Sequence, residues 1–150
     1  SKSNMSMVII THDLGVARGR AHEIMVMYGG RIMEKAPSET VFQGMKHPYT
    51  EALLSSIPRL NDPKHTRLTP IEGFPPDIVD GPEGCKFAAR CKYAQDICLT
   101  STPEEITIDS HTYFCHFPVG TDAGSEAFQS NVAKGFTAAG LKIKSKREVV

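Results

Sequence analysis

The chain has 150 residues, is 40% hydrophobic, and balances 17 Lys and Arg against 17 Asp and Glu. That size suits one or two small domains, and the apolar fraction is enough for a core, which excludes a disordered chain. The zero net charge gives no reason to expect nucleic acid or an anionic lipid surface as a partner, and no apolar run approaches the roughly 20 residues of a membrane span.

The opening residues, SKSNMSM, lack the apolar region of a signal peptide. A cytosolic setting is expected, and disulfides are rare there. Residues 6–11, SMVIIT, read as a short buried strand because β-branched residues crowd a continuous apolar run. Asp13 is a good helix cap, and LGVARGRA behind it reads as a short helix weakened by Gly15 and Gly19. Next, Ile24, Val26 and Tyr28 alternate with Met25 and Met27, and Gly29-Gly30 precede a second strand-like run, RIME. A Gly-Gly pair between two such runs predicts a two-residue hairpin. Pro37 and Ser38 open a short helix that Gly44 closes.

HPYTEALLSSIP is the clearest helix in the sequence. Pro48 suits the first helical position, where its missing N–H has no partner to lose. Tyr49, Ala52, Leu53 and Ile57 share a face, with Glu51 and Ser55 opposite, and His47 reads as a helix-start residue. From Pro58 to Gly84, six of the ten prolines fall within 27 residues, so extended chain is expected. Leu68, Ile71, Phe74 and Ile78 are candidates to staple it to a neighbouring surface. After Gly120 one short helix is expected, with Phe128, Val132 and Phe136 along one side, then a strand-like LKIK. A solvated basic end carries Lys142, Lys144, Lys146 and Arg147.

All four cysteines lie within 31 residues, spaced Cys85-x5-Cys91-x6-Cys98-x16-Cys115. Clustered thiolates converge on soft metals or iron–sulfur clusters. Zinc sites usually contain a C-x2-4-C pair, and none is present. A single helix from Cys91 to Cys98 would separate the Cα atoms by about 10.5 Å, whereas the sulfurs around one zinc ion sit roughly 3.8 Å apart. Either the helix breaks or the bound group is wider than one ion. An iron–sulfur cluster, zinc, and free thiols or disulfides all remain open on the residues alone. Lys86, Arg90 and Lys92 are candidates to offset thiolate charge, or are ordinary surface charges.

Several segments carry a resemblance. ITHDLGVA resembles the switch segment of ABC-transporter ATPases, and IMVMYGGRIMEKAP is similar to the hairpin that follows it there. HPYTEALLSSIP and GCKFAARC are similar to the C-terminal extension of oligopeptide/dipeptide-importer ATP-binding subunits. The segments stand in the family's order across residues 5–117.

The resemblance implies an α/β fragment, the end of an ABC-type nucleotide-binding domain over residues 1–44. A small loop-rich extension with the four-cysteine site follows over 45–120, then a tail over 121–150. No G-x-x-x-x-G-K-[ST] phosphate loop occurs in the sequence. The chain is therefore expected to be the C-terminal piece of a longer subunit and, alone, neither to bind ATP tightly nor to hydrolyse it.

The residues alone read His12 as a cap on the following helix. The resemblance makes it the switch histidine, placed to hydrogen-bond a γ-phosphate. It also implies ATP and magnesium in the parent subunit, and a 4Fe-4S cluster on Cys85, Cys91, Cys98 and Cys115, with zinc or nothing as alternatives in the fragment. The implied partners are a second ATP-binding subunit and the transmembrane permease subunits, at the cytoplasmic face of the cell membrane. His22-Glu23 stand where the family often has Asp-Arg, and Ala89 where a proline is common. A strand without its sheet has unpaired edges, so non-native pairing or a swapped dimer of the fragment is expected.

Overall fold

A computed structural model of the protein describes residues 5–57, 71–75 and 82–143. Gly29 (φ 54°) and Gly30 (φ 75°) make the turn that starts its sheet. Left-handed backbone at both central positions matches the twist of a two-residue hairpin, and glycine adopts it without strain. The turn joins β1 (Glu23–Tyr28) to β2 (Arg31–Pro37) in antiparallel pairing. In β1, Ile24, Val26 and Tyr28 face inward while Met25 and Met27 face out, as the alternation predicts.

β2 departs from simple alternation. Val26 pairs with Glu34 but Met27 pairs with Ile32, which leaves Met33 as an extra residue in a bulge. As a result Met33 and Glu34 are neighbours and both are buried. β4 (His111–Tyr113) pairs with the other side of β2, and β3 (Ile106–Ile108) pairs with β4. The order β1-β2-β4-β3 makes one antiparallel sheet with strands from both sides of residue 44. The β3–β4 turn runs through Asp109 (φ 46°) and Ser110 (φ 64°).

Among the described residues, five α-helices accompany the sheet: α1 (Leu14–Ala17), α2 (Ser38–Gly44), α3 (Pro48–Ser55), α4 (Ile97–Thr100) and α5 (Asp122–Lys134). Asp13 caps α1 through a 2.8 Å bond from the Gly15 N–H. Pro48 takes the start of α3, and His47 Nδ1 accepts the Tyr49 N–H at 3.0 Å. Thr121 caps α5, and Gly135 (φ 80°) ends it. None of the described helices is long and apolar enough to cross a membrane.

The apolar residues form two clusters. One gathers Ile24, Val26, Ala36 and Val41 beneath α1, α2 and α3. The other gathers Tyr28, Met33, Phe87, Cys91, Tyr93 and Cys98, among others, around the cysteine segment. Tyr49 packs against both. Its ring lies 4.6 Å from Tyr28 and 5.2 Å from Phe87, centroid to centroid, so aromatic contact makes the two clusters continuous.

Four expectations fail in whole or in part. Residues 6–11 form no strand; the run is exposed, with Ile10 at 97%. A β-branched apolar run becomes a strand only when a neighbour takes its backbone groups, and no described residue does so. On α5 the buried face is Gly124, Ala127 and Asn131, with Phe128 half-buried, while Val132, and Phe136 beyond the helix end, are largely exposed. Asn131 decides that face: its amide donates to the carbonyls of Lys92 (3.0 Å) and Ala94 (3.1 Å) and accepts from Gln95 (2.9 Å). In the proline-rich segment Ile71 packs on the core but Phe74 is 91% exposed; Leu68 and Ile78 lie outside the described residues. LKIK contributes one isolated bridge, Lys142 to Phe136, and Lys144, Lys146 and Arg147 lie outside the described residues.

Glu34 is the most consequential buried group, with no exposed surface. Its Oε1 accepts the Lys46 N–H at 2.6 Å and meets His111 Nε2 at 2.6 Å, while Oε2 accepts the His47 N–H at 3.1 Å. One carboxylate thus ties β2 to β4 and to the loop before α3. Truncating it strands three donors out of reach of water. Glu34→Ala is predicted to cost about 3–5 kcal/mol of unfolding free energy, with Glu34→Gln costing less because one acceptor remains. Urea denaturation checks this; an Ala variant of unchanged stability would contradict it.

A candidate four-cysteine site

The cysteine segment is held by backbone turns and long side chains instead of long helices. Cys85 begins a turn that leads into one 3-10 turn, Ala88–Arg90, and Cys91 follows it. Between Cys91 and Cys98 the chain turns twice before α4 begins at Ile97, so no continuous helix separates the two thiols. That break is one of the two solutions the spacing allows. The Cys85 N–H donates to the Cys98 carbonyl at 2.8 Å. Gly84 stands so close to that carbonyl that a Cβ would collide with backbone. Cys115 arrives just after β4, and the Phe114 N–H donates to the Met33 carbonyl at 3.0 Å at the bulge.

These elements bring Cys85, Cys91, Cys98 and Cys115 to the wall of one small cavity, which His47 also lines. All four cysteines are free, and only Cys85 is more than marginally exposed. Among the described residues, no three His, Cys, Asp or Glu side chains are arranged to hold a metal ion. The four thiols share a cavity without forming such a set.

Burial is the main force on these thiols. It pushes Cys115 up to about 12, Cys91 well above the usual thiol range, and Cys85 and Cys98 upward. Mutual charge adds to this: Cys91 feels Cys115, Cys85 and Cys98, and Cys115 feels Cys85 and Cys98. Backbone N–H groups pull the other way. The N–H two residues on faces the sulfur at three positions: Phe87 at Cys85, Tyr93 at Cys91 and Phe117 at Cys115. The cavity therefore holds neutral thiols whose backbone is already turned toward thiolates. Such a donor set suits a soft, positively charged group that replaces the protons.

The cations expected to offset thiolate charge are engaged elsewhere. Lys86 donates to the Pro82 carbonyl at 2.9 Å and Lys92 pairs with Glu51 at 3.1 Å. Arg90 clips the proline-rich segment, donating to the carbonyls of Ile71 (2.7 Å) and Glu72 (2.9 Å) and to the Tyr28 hydroxyl (3.2 Å). Guanidinium geometry favours several acceptors at once, which explains this use.

His47 is the member that the sequence did not single out for this cavity. It is 1% exposed, its Nδ1 is taken by the Tyr49 N–H, and its Nε2 has no partner among the described residues. Thr50 Oγ1 is the other such orphan among the described residues, but it does not line the cavity. An orphaned buried donor costs about 1–3 kcal/mol. His12 is not part of this assembly: it is exposed, in a bend just before α1, and is not in the cavity wall.

Burial also lowers the pKa of His47 to about 3. The folded metal-free chain keeps this ring neutral, while the unfolded chain takes up a proton below about 6.5. The stability that His47 contributes is thus complete above pH 6.5 and is lost as pH falls toward 3, at up to about 1.4 kcal/mol per pH unit. The slope of unfolding free energy between pH 6.5 and 5 is predicted to be shallower in His47→Asn than in the parent chain. Parallel slopes would contradict it.

Comparison with known proteins follows the same segments. Residues 33–98 match the model of the family described as the oligopeptide/dipeptide transporter, C-terminal region. The chain is 44% identical over 115 residues to the dipeptide transport ATP-binding protein DppD of Bacillus subtilis, covering 76% of this chain and 34% of that protein. It is 40% identical over 124 residues to DppD of Escherichia coli, covering 82% and 37%. With DppD of Haemophilus influenzae the figures are 38% over 128 residues, 85% and 38%. The chain spans about a third of the length of the curated relatives it matches.

Proposed function

From the match of residues 33–98 to the oligopeptide/dipeptide transporter C-terminal region, we propose that the chain is the C-terminal part of the ATP-hydrolysing subunit of a peptide importer. The observation that carries this reading is the likeness to dipeptide transport ATP-binding proteins over three quarters or more of the chain. In this reading the parent subunit binds ATP and magnesium at the cytoplasmic face of the membrane. It works beside a second ATP-binding subunit and the permease subunits.

His12 then acts as the switch histidine. The run VIIT ahead of it has the β-branched composition of a strand although it forms none here, and in the parent subunit it is proposed to pair into the sheet; Asp13, next to His12, caps α1. Delivered at the end of such a strand, the imidazole donates to the γ-phosphate and orients the attacking water. Its work is positioning and charge stabilisation, so it matters most near the transition state.

Cys85, Cys91, Cys98 and Cys115 are the proposed ligands of a 4Fe-4S cluster. Their shared cavity, their burial and the backbone N–H groups that face three of the sulfurs support this assignment. When bound, the cluster supplies an electron-transfer centre that also cross-links the segments bearing its ligands. The chain's part is to present the thiols, hold their backbone turns, and keep water out with Tyr93 and Phe117 in the wall.

In the full-length subunit, His12→Ala is predicted to lower ATP turnover on the order of 100-fold with nucleotide affinity little changed. Steady-state hydrolysis and nucleotide titration measure the two separately. Unchanged turnover would refute the switch assignment.

A further inference from the structure

The structure assigns His47 a role beyond capping α3: we propose that its Nε2–H donates a hydrogen bond to a sulfur of the group held by the four cysteines. This rests on the reading that those cysteines hold an iron–sulfur cluster.

Three observations carry it. First, Nδ1 accepts the Tyr49 N–H at 3.0 Å, so the ring's proton sits on Nε2. Second, Nε2 is buried without a partner among the described residues, although nearly every such group in a folded protein has one. Third, the same ring borders the cavity that all four cysteines line. His116 also borders that cavity, but its Nε2 lies 3.0 Å from the Ser101 carbonyl and is already used.

The ring's placement is fixed from both sides. Glu34 accepts the His47 backbone N–H, and the start of α3 holds Nδ1. A ligand role for His47 does not fit, because a bare Nε2 would require a proton on Nδ1, facing the Tyr49 N–H. What remains is a fixed donor at the edge of a sulfur-lined site. A donor to sulfur stabilises the more negative, reduced state and so raises the reduction potential. His47 is thus a positioning residue that tunes the cluster without binding iron.

The test uses protein loaded with iron and sulfide without oxygen, with its histidines labelled with nitrogen-15. After reduction, pulsed electron paramagnetic resonance is expected to show a weak histidine nitrogen coupling and an exchangeable proton. His47→Asn keeps a capping acceptor for α3 but has no donor at the Nε2 position. In that variant the histidine nitrogen coupling should vanish, the exchangeable-proton signal should weaken to what the backbone N–H groups supply, and the midpoint potential should fall, with iron content unchanged. The parent-chain couplings need no variant, so a folding defect in His47→Asn leaves the test intact.

A loaded chain with no histidine coupling, or with the strong coupling of a directly bound nitrogen, overturns this inference alone. An equal midpoint potential in parent and variant does the same. A chain that takes up no iron and sulfide overturns it together with the cluster assignment.

Discussion

A single buried carboxylate organises this molecule. Glu34 has no contact with solvent, and its two oxygens serve three donors from two other parts of the chain. It occupies that position because Met33 is an extra residue in β2, so the bulge sends both side chains inward. Met33 joins the cysteine cluster while Glu34 reaches the loop before α3. With that loop fixed, His47 can cap α3, Tyr49 can bridge the two clusters, and the imidazole can form part of the cavity wall. The energetic logic is that of any buried charge: it is tolerated because its acceptors are filled by geometry the sheet imposes.

The cysteine site depends on the same framework from the opposite side. Its thiols lie on turns, on short α4 and beside β4, none of which is stable alone. Arg90 ties the segment to residues 71 and 72, Asn131 of α5 ties it to the carbonyls of Lys92 and Ala94, and Gly84 lets it close on Cys98. Burial makes separate thiolates costly, while the N–H groups facing the sulfurs favour them. The two effects oppose each other, and the proposed cluster would relieve that conflict by taking the place of the thiol protons.

Much of this could be read from residue order. The Gly-Gly hairpin, the Asp13 and His47 caps and Pro48 at the start of α3 follow from local chemistry that acts over a few residues, whereas the cysteine spacing left a break between Cys91 and Cys98 as only one of two solutions. What could not be read depends on distant partners. Glu34 looks like an ordinary polar strand position until the bulge turns it inward. The β3–β4 hairpin turns through Asp109 and Ser110, both at positive φ without a glycine to announce it. Phe128, Val132 and Phe136 suggest one face for the last helix, but Phe136 lies beyond α5, and Asn131 satisfies backbone carbonyls that only the fold exposes. Residues 6–11 have strand chemistry and no described neighbour to pair with. His47 was legible as a cap, whereas its free nitrogen at the cavity required the four cysteines to be assembled around it.

The proposed cluster requires four separated cysteines to act together on one group. The most direct test is the iron, acid-labile sulfide and zinc content of the chain purified without oxygen, with its visible spectrum. The account predicts about four iron and four sulfide per chain with broad visible absorbance, lost when any of the four cysteines is replaced by serine. Stoichiometric zinc without sulfide, or a metal-free chain with four reactive thiols, would contradict it.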